Sequence, residues 1–146
     1  MNEVSLAPKR HDPFPVAEPY HGIYAYSVEA SGNSSTLYVS GQVGVSPEGS
    51  LDPGFSGQCR QAFENLFAIL RTGGMSPGDL VKMSFFLTQP SDMDKLVEIR
   101  RELIDGVRPA VTTLFVNGLV SPDWLIEIEA IAVKTPLPRG LGLANY

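Results

Sequence analysis

Apolar positions recur at helical spacing over Cys59, Ala62, Phe63, Leu66, Ile69 and Leu70, and Gly73-Gly74 follows them. This pattern predicts an amphipathic helix stopped by the glycine pair. A second set, Met93, Leu96, Val97, Leu103 and Ile104, predicts another helix. Ser91-Asp92-Met93-Asp94 has the form of a capping box at its start, and Gly106 and Pro109 end it. Elsewhere the period drops to two. Residues 24–29 and 36–45 read as strands, separated by Ser31-Gly32-Asn33-Ser34 and followed by Pro47-Glu48-Gly49, which predicts a hairpin-like pair. Residues 81–88, 111–116 and 125–133 supply three further strands, and Ser76-Pro77-Gly78-Asp79 predicts a single helical turn. In the last strand Ile126, Ile128, Ala130 and Ala132 share one face while Glu127 and Glu129 share the other.

Strands mixed with two long helices in this order predict an α+β fold, a two-layer sandwich with both helices on one face of the sheet. The opposite face carries Leu125 and Ile131 beside the glutamates, so it is partly apolar and is expected to meet another subunit. The chain reads as a single domain, residues 1–146, with a core of about residues 22–135. Pro13, Pro15 and Pro19 punctuate one end and Pro136, Pro138, Gly140 and Gly142 the other. Residues 1–21 and 136–146 are therefore expected to be irregular arms.

Composition narrows the partners. Formal net charge is −5 with no strongly basic cluster, which argues against nucleic acid, since phosphate backbones are bound by grouped Lys and Arg. No stretch approaches the roughly 20 apolar residues that span a bilayer, so no membrane association is expected. Cys59 is the single cysteine and has no partner within the chain. Together with an N-terminus lacking the apolar core of a signal peptide, this predicts a cytoplasmic protein. His11 and His21 have no carboxylate or thiol at ligand spacing, so no metal site is expected. No phosphate-binding loop, dinucleotide fingerprint or serine-hydrolase signature is present.

Four segments carry a resemblance. They are Tyr38-Val39-Ser40-Gly41-Gln42-Val43-Gly44 with Pro47-Glu48-Gly49; Gln61-Ala62-Phe63-Glu64-Asn65-Leu66 with Leu70; Asp79-Leu80-Val81-Lys82-Met83-Ser84-Phe85-Phe86-Leu87; and Pro109-Ala110 followed by Ile126-Glu127-Ile128-Glu129-Ala130-Ile131-Ala132. In this order and spacing, over about residues 24–134, the chain resembles the Rid (YjgF/YER-type, RidA-like) family. The resemblance implies a chorismate-mutase-like fold and a homotrimer, with a small-molecule cleft between neighbouring subunits. RidA-type members hydrolyse 2-imino or enamine acids to 2-keto acids and ammonia, using no metal or organic cofactor.

The resemblance also implies site residues. In active members an arginine follows the Pro-Ala pair and grips the substrate carboxylate. Here Val111 stands at that position. Glu127 matches the glutamate that positions the attacking water; read without the resemblance, it forms a solvated or interface pair with Glu129. Tyr26 matches the cleft tyrosine, with Tyr20 and Tyr24 as competitors, and Thr113 offers a hydroxyl and an amide for an anion. Ser40-Gly41 either lets backbone approach a ligand or serves a bulge, and Phe86 lines the cleft or fills the core. Arg108 lies three positions upstream of Val111, where alternation points it to the other face. Arg100 falls on the inward stripe of the second helix. Either its stem packs on the core with its head reaching water, or it makes a structural pair or a relocated anion contact. Three functions follow: imine or enamine hydrolysis with a modified anchor, metabolite binding without turnover, and, disfavoured by the acidic charge, the ribonuclease or translation-inhibitor activity linked with this family.

Overall fold

The computed structural model describes residues 9–11, 23, 27–30 and 32–136. Among these the elements run β1 Lys9–His11, β2 Ser27–Glu29, β3 Ser35–Val43, α1 Phe55–Thr72, β4 Leu80–Leu87, α2 Met93–Leu103, β5 Ala110–Phe115 and β6 Ile126–Lys134. Four strands form a mixed sheet in the order β3-β6-β4-β5, in which β6 is antiparallel to both neighbours and β4 and β5 are parallel. The α+β reading and the two helices stand as expected. The hairpin does not: β2 pairs with β1, and β3 pairs with β6. Local turn residues brought two strands near each other in the sequence, but β3 finds a more apolar partner in Ile126–Lys134. The N-terminal arm, expected to be irregular, contains β1.

Two turns match their spelling unequally. Pro77–Asp79 forms one tight turn, with the Asp79 carboxylate accepting the Ser76 N–H at 2.8 Å. At α2 the expected capping box is absent. Pro90–Asp92 makes a tight turn of its own, and Asp92 already has helical dihedrals, φ −88° and ψ −3°, rather than the extended backbone of a cap. Its side chain is buried instead, 3.7 Å from Lys95 Nζ.

Alternation along the sheet makes two unlike faces. Met83, Phe85 and Leu87 of β4, with Ile126, Ile128, Ala130 and Ala132 of β6, are buried beneath the helices. From α1 they meet Cys59, Ala62, Phe63, Leu66 and Leu70, and from α2 Leu96 and Ile99. Each large side chain so buried contributes roughly 1.5–3 kcal/mol. The other face presents Tyr38, Phe86, Leu114, Glu127, Glu129 and Ile131; Tyr38 is 76% exposed and Leu114 48%.

One polar residue interrupts the inward stripe of α1. Gln58 is fully buried, and its Nε2 donates to the carbonyls of Asp52 at 2.9 Å and Asp123 at 3.0 Å. Its Oε1 accepts the Leu125 N–H at 2.8 Å. One side chain thus ties the start of α1 to the segment that delivers β6. Gly44 lets this happen, because a Cβ there would lie 2.4 Å from the Gln58 Cα. Cys59, next in sequence, is wholly buried, and burial pushes its thiol up to about 12. A thiol without thiolate is a poor nucleophile. Native protein is therefore expected to react with a disulfide dye at least tenfold more slowly than urea-unfolded protein, followed by absorbance.

Candidate functional site

The parallel register of β4 and β5 sets Met83 beside Val111 and Phe85 beside Thr113. All four side chains therefore point to the helix side of the sheet, where α2 lies across them. The gap between α2 and β5 is a cavity of about 290 Å³. Phe85, Met93, Leu96, Val97 and Val111 give it apolar walls, with Ile23 at one side. Among the described residues its polar groups are Arg100 and Thr113.

Arg100 is 4% exposed, so its head is buried at a cavity wall rather than extended into solvent, which corrects the stem-and-snorkel reading. α2 sets it one turn beyond Leu96 and Val97, on the face that packs inward. Its Nη2 donates to the Ile23 carbonyl, and its Cζ lies 5.6 Å from the centre of the Phe85 ring. Among the described residues no carboxylate pairs with it. Burial pulls the guanidinium down to about 10, which leaves it charged at neutral pH.

Glu127 stands elsewhere in the same chain. It pairs across the sheet with Val43 on one side and Phe86 on the other, facing away from the helices. Ser40 and Gly41 fall at a register shift between Val39 and Gln42, so the bulge expected there is present. Close approach is required as well: a Cβ on Gly41 would sit 1.8 Å from Glu127 Oε1. The carboxylate rests against the glycine backbone, half-buried, and accepts no hydrogen bond among the described residues. Gly41→Ala is therefore expected to push Glu127 out of place, visible as a shift of its side-chain carboxyl signal in carbon NMR. An unmoved signal would show that the carboxylate has free room.

The residues singled out from sequence thus fall into two groups, on opposite faces of one sheet. Arg100, Val111 and Thr113 line the helix-side cavity. Gly41, Phe86 and Glu127 lie on the far face. Ser40 is also there, in a groove of about 380 Å³ with Tyr38, Lys82, Ser84, Glu129 and Ile131. Tyr20, Tyr24, Tyr26 and His21 lie outside the described residues. Phe86 is not core: strand alternation gives that place to Phe85, which also walls the cavity beside Arg100. Sequence reasoning missed Phe85 and the α2 residues Met93, Leu96 and Val97. The signal was available, because Phe85 shares its parity with Met83 and Leu87.

The family model described as Endoribonuclease L-PSP matches residues 18–134. The chain belongs to that family, which is the Rid family that its motifs resemble. Mouse (Mus musculus) 2-iminobutanoate/2-iminopropanoate deaminase is 35% identical over 117 residues, 79% of this chain and 84% of its own. Among solved structures, the Rid-family protein YyfB of Yersinia pestis superposes with a TM-score of 0.77 at 27% identity, covering 86% of this chain and 97% of that one. Escherichia coli TdcF with bound serine gives 0.65 at 30% identity, covering 88% and 94%. Among the described residues no helix is long and apolar enough to cross a membrane.

Proposed function

We propose that this chain hydrolyses a small imine or enamine to a carbonyl compound and ammonia, in a cleft between the subunits of a homotrimer. Its membership of the family, with relatives named as deaminases of imino acids, supports the reaction class. The observation that carries the reading is Glu127. It is a half-buried carboxylate seated on Gly41 and beside Phe86, with its oxygens uncommitted within its own chain among the described residues. Such a group can hold a water and take its proton as the oxygen adds to the C=N carbon. That proton goes to nitrogen, giving a carbinolamine; its hydroxyl proton then passes through the same carboxylate to nitrogen, the C–N bond breaks, and ammonia leaves as the carbonyl forms. A second subunit would bring its Glu127 to the cavity of the first, since one chain separates the two by the thickness of its sheet. The exposed Tyr38 and Leu114 on the far face suit such contact.

The test is the decay of 2-iminopropionate, released by a serine dehydratase, with and without the protein. Faster decay supports hydrolysis. A second reading, metabolite binding without turnover, is favoured by Val111, which stands where the family resemblance places a carboxylate-gripping arginine. Loss of such a charged bond, about 1.5–3 kcal/mol, weakens binding about 10- to 150-fold. Unchanged decay together with retained ligand binding would select that reading. RNA incubated with rigorously purified protein is expected to remain intact, given a net charge of −5.

A further inference from the structure

We propose that Arg100 is the anion anchor of the helix-side cavity, and that its ligand is a monocarboxylate with an apolar side chain. This deepens the proposed function by naming the acid, and it rests on that reading only for the imine at the reacting carbon.

A buried cation is tolerated only when charge and hydrogen bonds compensate it. A guanidinium carries five N–H donors. At Arg100 the Ile23 carbonyl takes one, and the Phe85 ring offers its face. Neither is an anion. Asp105 and the arginines Arg101 and Arg108 border a smaller adjoining cavity of about 220 Å³, yet Asp105 makes no ion pair with Arg100. With no anion paired to it among the described residues, the guanidinium lines a space of about 290 Å³, close to the lower end of small-ligand sites, roughly 300–1,000 Å³. A carboxylate entering it completes the fork of Arg100, which can bond both oxygens, and meets the Thr113 side chain on the facing strand.

The rest of the cavity chooses the rest of the ligand. Met93, Leu96, Val97 and Val111 offer no polar atom to a hydroxyl or a second carboxylate. A branched or aromatic side chain fits there, whereas a polar one would lose its hydration without return. The cation that the resemblance places on β5 at position 111 is thus supplied from α2, and the valine becomes part of the apolar wall.

The experiment is calorimetric titration with 4-methyl-2-oxopentanoate, a stable keto acid, and with its methyl ester. Wild-type protein is expected to bind the acid at least tenfold more tightly than the ester. Arg100→Met should weaken the acid by roughly 10- to 150-fold and leave the ester unchanged. Oxaloacetate, with its second carboxylate, should bind at least tenfold more weakly than the branched acid. Should Arg100→Met fail to fold, the acid–ester comparison on wild-type protein decides alone. Equal affinity for acid and ester, no binding of the acid, or full acid affinity in folded Arg100→Met overturns the proposal. Acid binding through Arg100 without imine hydrolysis leaves this proposal standing and removes the enzymatic one. Hydrolysis that ignores Arg100 does the reverse.

Discussion

Glu127→Gln is expected to slow imine hydrolysis by about 10²–10⁴-fold, the usual contribution of a positioned general base. Glutamine keeps the shape of the side chain that rests on Gly41 but cannot take a proton from water. The carboxylate accepts no hydrogen bond from the described part of its chain, so the fold has little to lose. Unfolding free energy should stay within about 0.5 kcal/mol of wild type. Rates and urea unfolding measured on the same preparation separate the two roles. A stable Glu127→Gln protein with full activity would remove Glu127 from the chemistry.

Gln58→Leu is expected to lower unfolding free energy by about 2–4 kcal/mol in urea titration. The substitution leaves the carbonyls of Asp52 and Asp123 and the N–H of Leu125 without the partner they have in Gln58. Leucine adds apolar surface to the core, but a buried donor left unmade offsets that gain. Because Leu125 precedes the strand that carries Glu127, activity should fall as well. Stability equal to wild type would show that water satisfies these groups and that Gln58 is no clasp.

Much of this architecture was legible from residue order. The alternation of Ile126, Ile128, Ala130 and Ala132 against Glu127 and Glu129 fixes two faces by geometry alone. Gly73-Gly74 ends α1, with Gly74 at φ +70° where a side chain is strained. What stayed hidden depends on contacts between distant segments. The partner of β3 is β6, about ninety residues onward, and no local turn residue announces it. Gln58 looks like one polar residue in an apolar stripe until the loops of Asp52 and Asp123 are folded against it. The neighbouring Phe85 and Phe86 differ only in strand parity, so one enters the core and the other faces Glu127. Arg100 could be placed on an inward stripe, but its contacts with the Ile23 carbonyl and the Phe85 ring depend on segments distant in sequence. Tyr26 lies outside the described residues.

Hydrolysis of a carbon–nitrogen double bond should show in the decay of an apolar imino acid. An amino-acid oxidase releases 2-imino-4-methylpentanoate from leucine, and semicarbazide traps what has not yet been hydrolysed. With wild-type protein the trapped fraction should fall well below that in protein-free buffer, and Glu127→Gln should return it to the buffer value. An identical trapped fraction with and without the wild-type protein would show that it does not hydrolyse this imine.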